Sequence, residues 1–296
     1  MLRSSRHEVE WIRRAVSAEE LQERLVDSDA CILAGEEKID GRMLETATRL
    51  RVVVVLATVF ADWVDVVAAR RNNVEVIGTP GFSGDAVAEL ALGLMITATR
   101  RMIHGIMAVR RGEWQEQQGL GLAGRRLSII GLGAIGEQFA KMASTGLGMR
   151  VSYYSRRRRE SLEKSLGLEY VALPGLLSNA DVVSLHCPLT AETRCMIGAA
   201  EFDLVKPGTV LINTARAWLV EPAALLQALR TGRVATAAFD VYYQEPAGPP
   251  NEDPFGLLRL ADDKFILTPH SGYATITSVD RMSVAGSRTI LRLLDV

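Results

Sequence analysis

Three polar residues stand just after apolar runs in the second half of the chain. Arg216 follows the run ending Asn213-Thr214-Ala215, Glu245 follows Phe239-Asp240-Val241, and His270 follows Leu267-Thr268-Pro269. An arginine fixes a carboxylate in two-point geometry, and a histidine exchanges a proton near neutral pH. A carboxylate beside that histidine stabilises the imidazolium and holds its orientation. Further upstream, the apolar residues 127–130 meet Gly131-Leu132-Gly133-Ala134-Ile135-Gly136, and a helix-forming stretch, 137–144, follows. A strand, a tight turn and a helix N-terminus in that order cradle a dinucleotide pyrophosphate, because amide N–H groups converge there and the helix dipole favours negative charge. Singly, Arg216, Glu245 and His270 read equally well as surface or turn residues. As a set at strand ends beside a dinucleotide turn, they predict hydride transfer between a nicotinamide and a 2-oxo acid, with His270 as the acid.

The strand after the glycine turn bears on which dinucleotide is bound. About 20 residues past such a turn, an NAD site places an Asp or Glu that accepts from the ribose hydroxyls. Here the sequence reads Tyr154-Ser155-Arg156-Arg157-Arg158-Arg159. Loss of the acid removes repulsion of a 2′-phosphate, and a guanidinium fork binds that phosphate with charge-assisted bonds. NADP(H) is therefore favoured, with NAD(H) as the second option. Ser155 and Arg156 are the expected contacts, with Arg157 behind them, while Arg158 and Arg159 read as a solvated turn.

Short apolar runs alternate with helical patterns along the chain, which predicts a doubly wound, parallel α/β architecture in two lobes. In the first lobe, strands are expected at 9–12, 30–33, 52–56 and 74–77, and helices near 18–26, 41–47 and 62–70. A long helix after Gly84 and a second apolar stretch through Met102, Ile106 and Val109 read as a helical crossover. Further strands follow at 127–130, 151–154, 182–185, 209–213, 235–241 and 265–268. The last helix, 278–294, is free to return to the first lobe, which would make that lobe discontinuous. The expected division is a substrate domain of residues 1–85 and 271–296 and a Rossmann domain of 86–270 that includes the crossover helices.

Composition allows this plan and excludes others. A chain of 296 residues, 48% hydrophobic, can bury a large core. Its net charge of −1 provides no field for nucleic acid or an anionic membrane. Cys31, Cys187 and Cys195 have neither metal-ligand spacing nor a disulfide framework, so no metal is expected and a reducing cytoplasm is the default. Residues 1–10 lack an apolar signal region, and no apolar run is long enough to span a bilayer.

Several motifs recur in an order that resembles the D-isomer-specific 2-hydroxyacid dehydrogenases. They are Gly131 to Gly136, His186-Cys187-Pro188-Leu189-Thr190, Lys206-Pro207-Gly208, Ile212-Asn213-Thr214-Ala215-Arg216, Asp240-Val241 with Glu245-Pro246, and Thr268-Pro269-His270-Ser271-Gly272. The likeness runs from about His7 onward. It implies Arg216 as the anchor of the substrate carboxylate, His270 as acid/base, Glu245 as its partner, and Asp240 near the nicotinamide. The implied cofactor contacts are Gly131, Gly133, Ala134, Ile135, Gly136, Ser155, Arg156, Arg157, Cys187, Pro188, Thr214, Ala215 and Asp240. His186 reads as structural. A homodimer through the helices around residues 85–110 is implied, and Ser155-Arg156 resembles the NADPH-preferring branch that includes glyoxylate/hydroxypyruvate reductases.

The chain also departs from that family. The strand and helix that usually precede the segment resembling 7–10 are missing, so the smaller, flavodoxin-like domain should lack its N-terminal strand and leave an edge exposed. A substrate loop rich in glycine is replaced by Thr58, Val59 and Phe60, whose side chains restrict left-handed backbone and occupy pocket space. Trp218 and Trp63 stand where a small residue and an asparagine are common. The expected function is reduction of a small 2-oxo acid, such as glyoxylate or hydroxypyruvate, by NADP(H). A contrasting reading is a catalytically weak dinucleotide-binding regulator or sensor, suggested by the missing elements and the altered loop.

Overall fold

Runs of valine, isoleucine and leucine form strands buried on both faces, the pattern of a parallel sheet layered between helices. The computed structural model describes residues 7–12, 14–35 and 37–294. They fall into two compact units, one within Met1–Ser83 and Ala274–Val296, the other Gly84–Tyr273.

The first unit contains α1 (Ala18–Val26), β1 (Ala30–Leu33), α2 (Gly41–Thr46), β2 (Val52–Val55), α3 (Val66–Arg71) and β3 (Glu75–Gly78). Ser17, Asp40 and Asp65 cap the three helices by accepting first-turn N–H groups, so each helix starts where its cap stands. The strands pair in parallel in the order β1-β2-β3. The strand expected at 9–12 is not formed. Its apolar–polar alternation looks extended, but among the described residues no strand pairs with it in a ladder, and Trp11 is 59% exposed. Among the described residues β1 is an outer strand, paired on one side only.

The second unit runs α4 (Gly84–Thr99), α5 (Met102–Arg110), β4 (Arg126–Ile130), α6 (Ala134–Lys141), β5 (Arg150–Tyr154), α7 (Glu160–Leu166), β6 (Glu169–Tyr170), α8 (Leu173–Asn179), β7 (Val182–Leu185), α9 (Ala199–Leu204), β8 (Thr209–Asn213), α10 (Pro222–Arg230), β9 (Val234–Phe239) and β10 (Phe265–Leu267). All its strands are parallel, in the order β10-β9-β8-β7-β4-β5-β6. β4 pairs with β5 on one side and β7 on the other, so the winding reverses there and opens a crevice beyond the strand ends. Neighbouring residues serve opposite faces. Val182 belongs to the core that includes Met95 of α4 and Phe139 of α6, while Val183 belongs to the core that includes Leu177 of α8 and Leu225 of α10. Each such side chain contributes about 1.5–3 kcal/mol through burial.

The last helix, α11 (Ile276–Leu294), belongs to the first unit. Its Gly286 lies so close to β2 that an added Cβ would come within 3.0 Å of Val54 Cγ1. Between α4 and α5 the backbone of Arg101 turns left-handed at φ 52° and splits the apolar stretch into two helices. No helix among the described residues is long and apolar enough to cross a membrane.

Candidate active site

Gly131 to Gly136 form the turn from β4 into α6, and each glycine meets a different constraint. Gly131 has φ +97°, and a Cβ there would strike the Cys187 backbone N at 2.6 Å. A Cβ on Gly136 would lie 2.2 Å from the Gly131 carbonyl oxygen. At Gly133 an added Cβ would meet nothing within 4 Å, and no side chain caps α6. The turn therefore opens onto free space at uncapped helix N–H groups, at the Ala134-Ile135-Gly136 end of α6. A dinucleotide pyrophosphate fits this shape and its donors.

Beyond β5, Ser155 is half-buried and its hydroxyl donates to the Arg157 carbonyl, while Arg156 and Arg157 are exposed. Arg158 and Arg159 are not merely solvated, as the sequence suggested. Arg158 pairs with Glu163 at 2.8 Å, and Arg159 reaches Glu137 at 3.0 Å and the Leu132 carbonyl at 3.2 Å. Those partners lie in other elements, which a charge run alone does not reveal.

Past β7 come His186, Cys187 and Pro188. His186 Nε2 lies 2.8 Å from Ser184 Oγ, and its ring packs on Phe139 at 5.1 Å. Burial pushes this imidazole down to about 3, so it stays neutral. Its Nδ1 is sealed from water without a partner among the described residues. The Cys187 Sγ points toward Met196 Sδ at 3.8 Å, and burial pushes the thiol up to about 11.

After β8, the buried Asn213 shapes the backbone that presents Arg216. Its Oδ1 accepts from Ala215 N at 3.0 Å and its Nδ2 donates to the Arg216 carbonyl at 2.9 Å. Sequence reading passed over Asn213, although a polar residue closing an apolar strand is a signal of such bracing. The Thr214 hydroxyl, in a residue 8% exposed, is another buried polar atom with no partner among the described residues. Arg216 Nη1 donates to the Ala215 carbonyl at 2.8 Å. Trp218 packs edge-on against Tyr243 at 5.2 Å and Phe255 at 6.2 Å, beneath the Arg194 guanidinium at 4.1 Å.

Glu245 and His270 are brought together. His270 Nδ1 lies 2.7 Å from Glu245 Oε2, and Glu245 Oε1 accepts from Tyr242 N at 2.8 Å. Burial opposes ionisation of Glu245, but the His270 and Tyr242 hydrogen bonds and the charges of His270 and Arg216 outweigh it, leaving the carboxyl below its ordinary range. His270 itself adopts φ 49°, a strained conformation for a residue with a side chain. The buried Asp240 holds it there. Its Oδ1 accepts from Thr268 Oγ1 at 2.6 Å and Ser271 N at 2.9 Å, and its Oδ2 accepts from Gly272 N at 2.7 Å. Asp240, expected beside the nicotinamide, thus has its carboxylate on the turn that carries His270.

All these residues follow the carboxyl ends of β4, β5, β7, β8, β9 and β10. Thr58, Val59 and Phe60 lie in the other unit. Thr58 and Val59 are exposed, while Phe60 packs on that unit's core with its ring against Gly78, where an added Cβ would meet it at 3.1 Å. Trp63 packs against the same core.

Residues 92–272 match the family model of the D-isomer specific 2-hydroxyacid dehydrogenase NAD binding domain. The chain is 37% identical over 280 residues to a glyoxylate reductase of Thermococcus litoralis, covering 92% of this chain and 82% of that protein. It is 39% identical over 267 residues to a glyoxylate reductase of Korarchaeum cryptofilum, covering 88% and 78%. A crystal structure of a Thermus thermophilus protein superposes with a TM-score of 0.83 at 34% identity, covering 95% of this chain and 88% of that one.

Proposed function

Because the chain belongs to the D-isomer specific 2-hydroxyacid dehydrogenase family, and is thereby an NAD(P)-dependent oxidoreductase of CH–OH groups, we propose that it reduces a small 2-oxo acid of the glyoxylate or hydroxypyruvate class with NADP(H). The observation that carries this reading is the Glu245–His270 pair at 2.7 Å, on the same sheet edge as Arg216 and the open glycine turn. When bound, the nicotinamide supplies the hydride. Arg216 anchors the substrate carboxylate through a charge-assisted fork. His270, with Nδ1 held by Glu245, delivers the proton from Nε2 to the carbonyl oxygen, and takes it back in the reverse direction. The Glu245 carboxylate, held by Tyr242 N and facing Nδ1, fixes the orientation of the ring and leaves Nε2 for that transfer. The unit containing Thr58, Val59 and Phe60 is the substrate domain, and Gly84–Tyr273 holds the dinucleotide.

NADP(H) over NAD(H) is supported by Ser155 in place of an acid and by the exposed Arg156 and Arg157. A homodimer is supported by exposed apolar side chains on α5, where Met102, Ile106 and Val109 are 44%, 49% and 52% exposed. A cytoplasmic setting is supported by three free thiols. The sensor reading is disfavoured, since the acid, its partner and the anchor are all present.

The test is oxidation of NADPH and NADH with glyoxylate, hydroxypyruvate and pyruvate. We expect turnover that falls about 100-fold or more in His270→Ala, the usual contribution of a general acid. Undiminished turnover in that variant would remove the mechanism. Ser155→Asp combined with Arg156→Ala should weaken NADPH far more than NADH, and equal weakening would count against phosphate recognition.

A further inference from the structure

The turn between β5 and α7 carries four consecutive arginines, and the structure treats them unequally. Arg158 is held by Glu163 through Nε at 2.9 Å and Nη2 at 2.8 Å, with its guanidinium 5.7 Å from the centre of the Tyr170 ring. Arg159 spans back to Glu137 and the Leu132 carbonyl at the glycine turn. The guanidinium groups of Arg156 and Arg157 make no hydrogen bond or contact ion pair among the described residues. Two acids therefore hold two of the four cations in contact pairs, whereas Arg156, whose charge is felt at Glu192 and Cys187, and Arg157 keep guanidinium groups without a contact partner among the described residues.

Beneath the turn lies Tyr153, fully buried in β5 at 0% exposure. Its hydroxyl is engaged twice. It accepts from the Arg159 backbone N–H at 2.7 Å, at the residue that precedes α7, and donates to Glu163 Oε1 at 2.7 Å. The ring stands edge-on to Tyr170 at 5.4 Å, so packing fixes the position of that hydroxyl. The C-terminal end of the turn, at Arg158 and Arg159, is thus tied to one buried oxygen of β5 and one carboxylate of α7, and the Ser155 hydroxyl, donating to the Arg157 carbonyl, closes the other end on itself. A ligand phosphate then meets a preformed turn and spends little of its binding energy on ordering it.

We infer that Tyr153 and Glu163 are positioning residues that set the dinucleotide preference, by fixing the path of residues 155–159 so that Arg156 and Arg157 face the 2′-phosphate. This inference rests on the NADP(H) reading above. Its selectivity follows from location, because only the 2′-substituent of the adenosine ribose, and not the pyrophosphate, meets this turn.

The test is calorimetric titration of the purified protein with adenosine 2′,5′-bisphosphate and with 5′-AMP, which differ only in the 2′-phosphate. The unaltered protein should prefer the bisphosphate. Tyr153→Phe, which keeps the ring and removes the hydroxyl with both its hydrogen bonds, should narrow that preference about fivefold or more, while leaving 5′-AMP within about twofold. Equal weakening of both ligands, or no change in either, overturns the inference. Glu163→Ala carries the test should Tyr153→Phe fail to fold. It should lose preference in the same sense, and tighter bisphosphate binding through a released Arg158 would overturn the brace. An unaltered protein with no preference removes the NADP(H) reading and this inference with it, whereas a preference retained in both variants removes the inference alone.

Discussion

Gly133 and Gly136 stand three residues apart in the same turn, and the structure assigns them opposite responses to one added methyl group. At Gly136 the new Cβ would lie 2.2 Å from a backbone oxygen, which cannot move without opening the β4–α6 turn. We expect Gly136→Ala to cost about 3 kcal/mol or more in stability, as overpacking against fixed atoms does. At Gly133 the same methyl group would meet nothing within 4 Å, and the backbone there, φ −85° and ψ −165°, is ordinary for alanine. The loss of unfolded-state freedom favours the variant by roughly 0.4–1 kcal/mol, and the poorer N-cap offsets it by a similar amount. Stability should therefore change little. Binding should not. The methyl group fills the space facing the uncapped N–H groups, and displacing a phosphate from one or two charge-assisted bonds costs about 3 kcal/mol, or roughly a hundredfold in Kd. Thermal unfolding together with a fluorescence titration of NADPH separates the two effects. A Gly133→Ala protein that binds NADPH as the unaltered one does would show that the pyrophosphate does not rest on this turn.

At Gly78 an added Cβ would sit 2.7 Å from the Ala57 carbonyl and 3.1 Å from the Phe60 ring, so Gly78→Ala should displace the 57–60 loop. We expect altered KM values across a panel of 2-oxo acids with an unchanged NADPH titration, and a shift in the titration alone would contradict that assignment. Asn213→Asp keeps the acceptor for Ala215 N but loses the donor to the Arg216 carbonyl. It should raise KM for the 2-oxo acid about tenfold, the cost of about one buried hydrogen bond, with dinucleotide affinity retained in direct titration. Asp181 is partly buried between Lys206 at 2.8 Å and the Arg126 N–H at 2.8 Å. Burial opposes its ionisation, yet these partners hold the carboxyl below its ordinary value. A depressed folded pKa contributes stability above the unfolded pKa of about 3.9, and that contribution is lost as pH falls through the folded value. Asp181→Asn should thus be destabilising by about 1–2 kcal/mol at neutral pH, and the denaturant midpoints of the two proteins should converge as falling pH protonates Asp181. Parallel curves would refute it.

What the sequence made legible follows from where the deciding forces are local. β7 and β8 are largely apolar runs, interrupted only by Ser184 in β7 and flanked by Thr209 and Asn213 in β8, and the structure gives them the expected limits. The pairing of Glu245 with His270 across 25 residues was inferable because both types stand just after strand ends. β6 went unseen because two residues, Glu169 and Tyr170, carry no periodicity and are extended only through pairing with β5. Residues 9–12 misled in the opposite way, since their alternation describes a strand whose existence depends on a neighbour. The work of Asp240 was hidden for a related reason. Its three donors lie 28, 31 and 32 residues away, and only the folded turn around His270 gathers them.

Arg51 donates from its guanidinium to the Leu293 carbonyl, 242 residues further along the chain, and α11 covers β2 beside it. During synthesis the segment Gly84–Tyr273 is complete before α11 has left the ribosome, whereas β2 waits for its cover until α11 emerges. We therefore expect two stages of acquired protease resistance in nascent chains of increasing length, the unit with the dinucleotide turn first and the one bearing β2 last. Simultaneous protection of both in chains stopped before Ile276 would exclude this order of maturation.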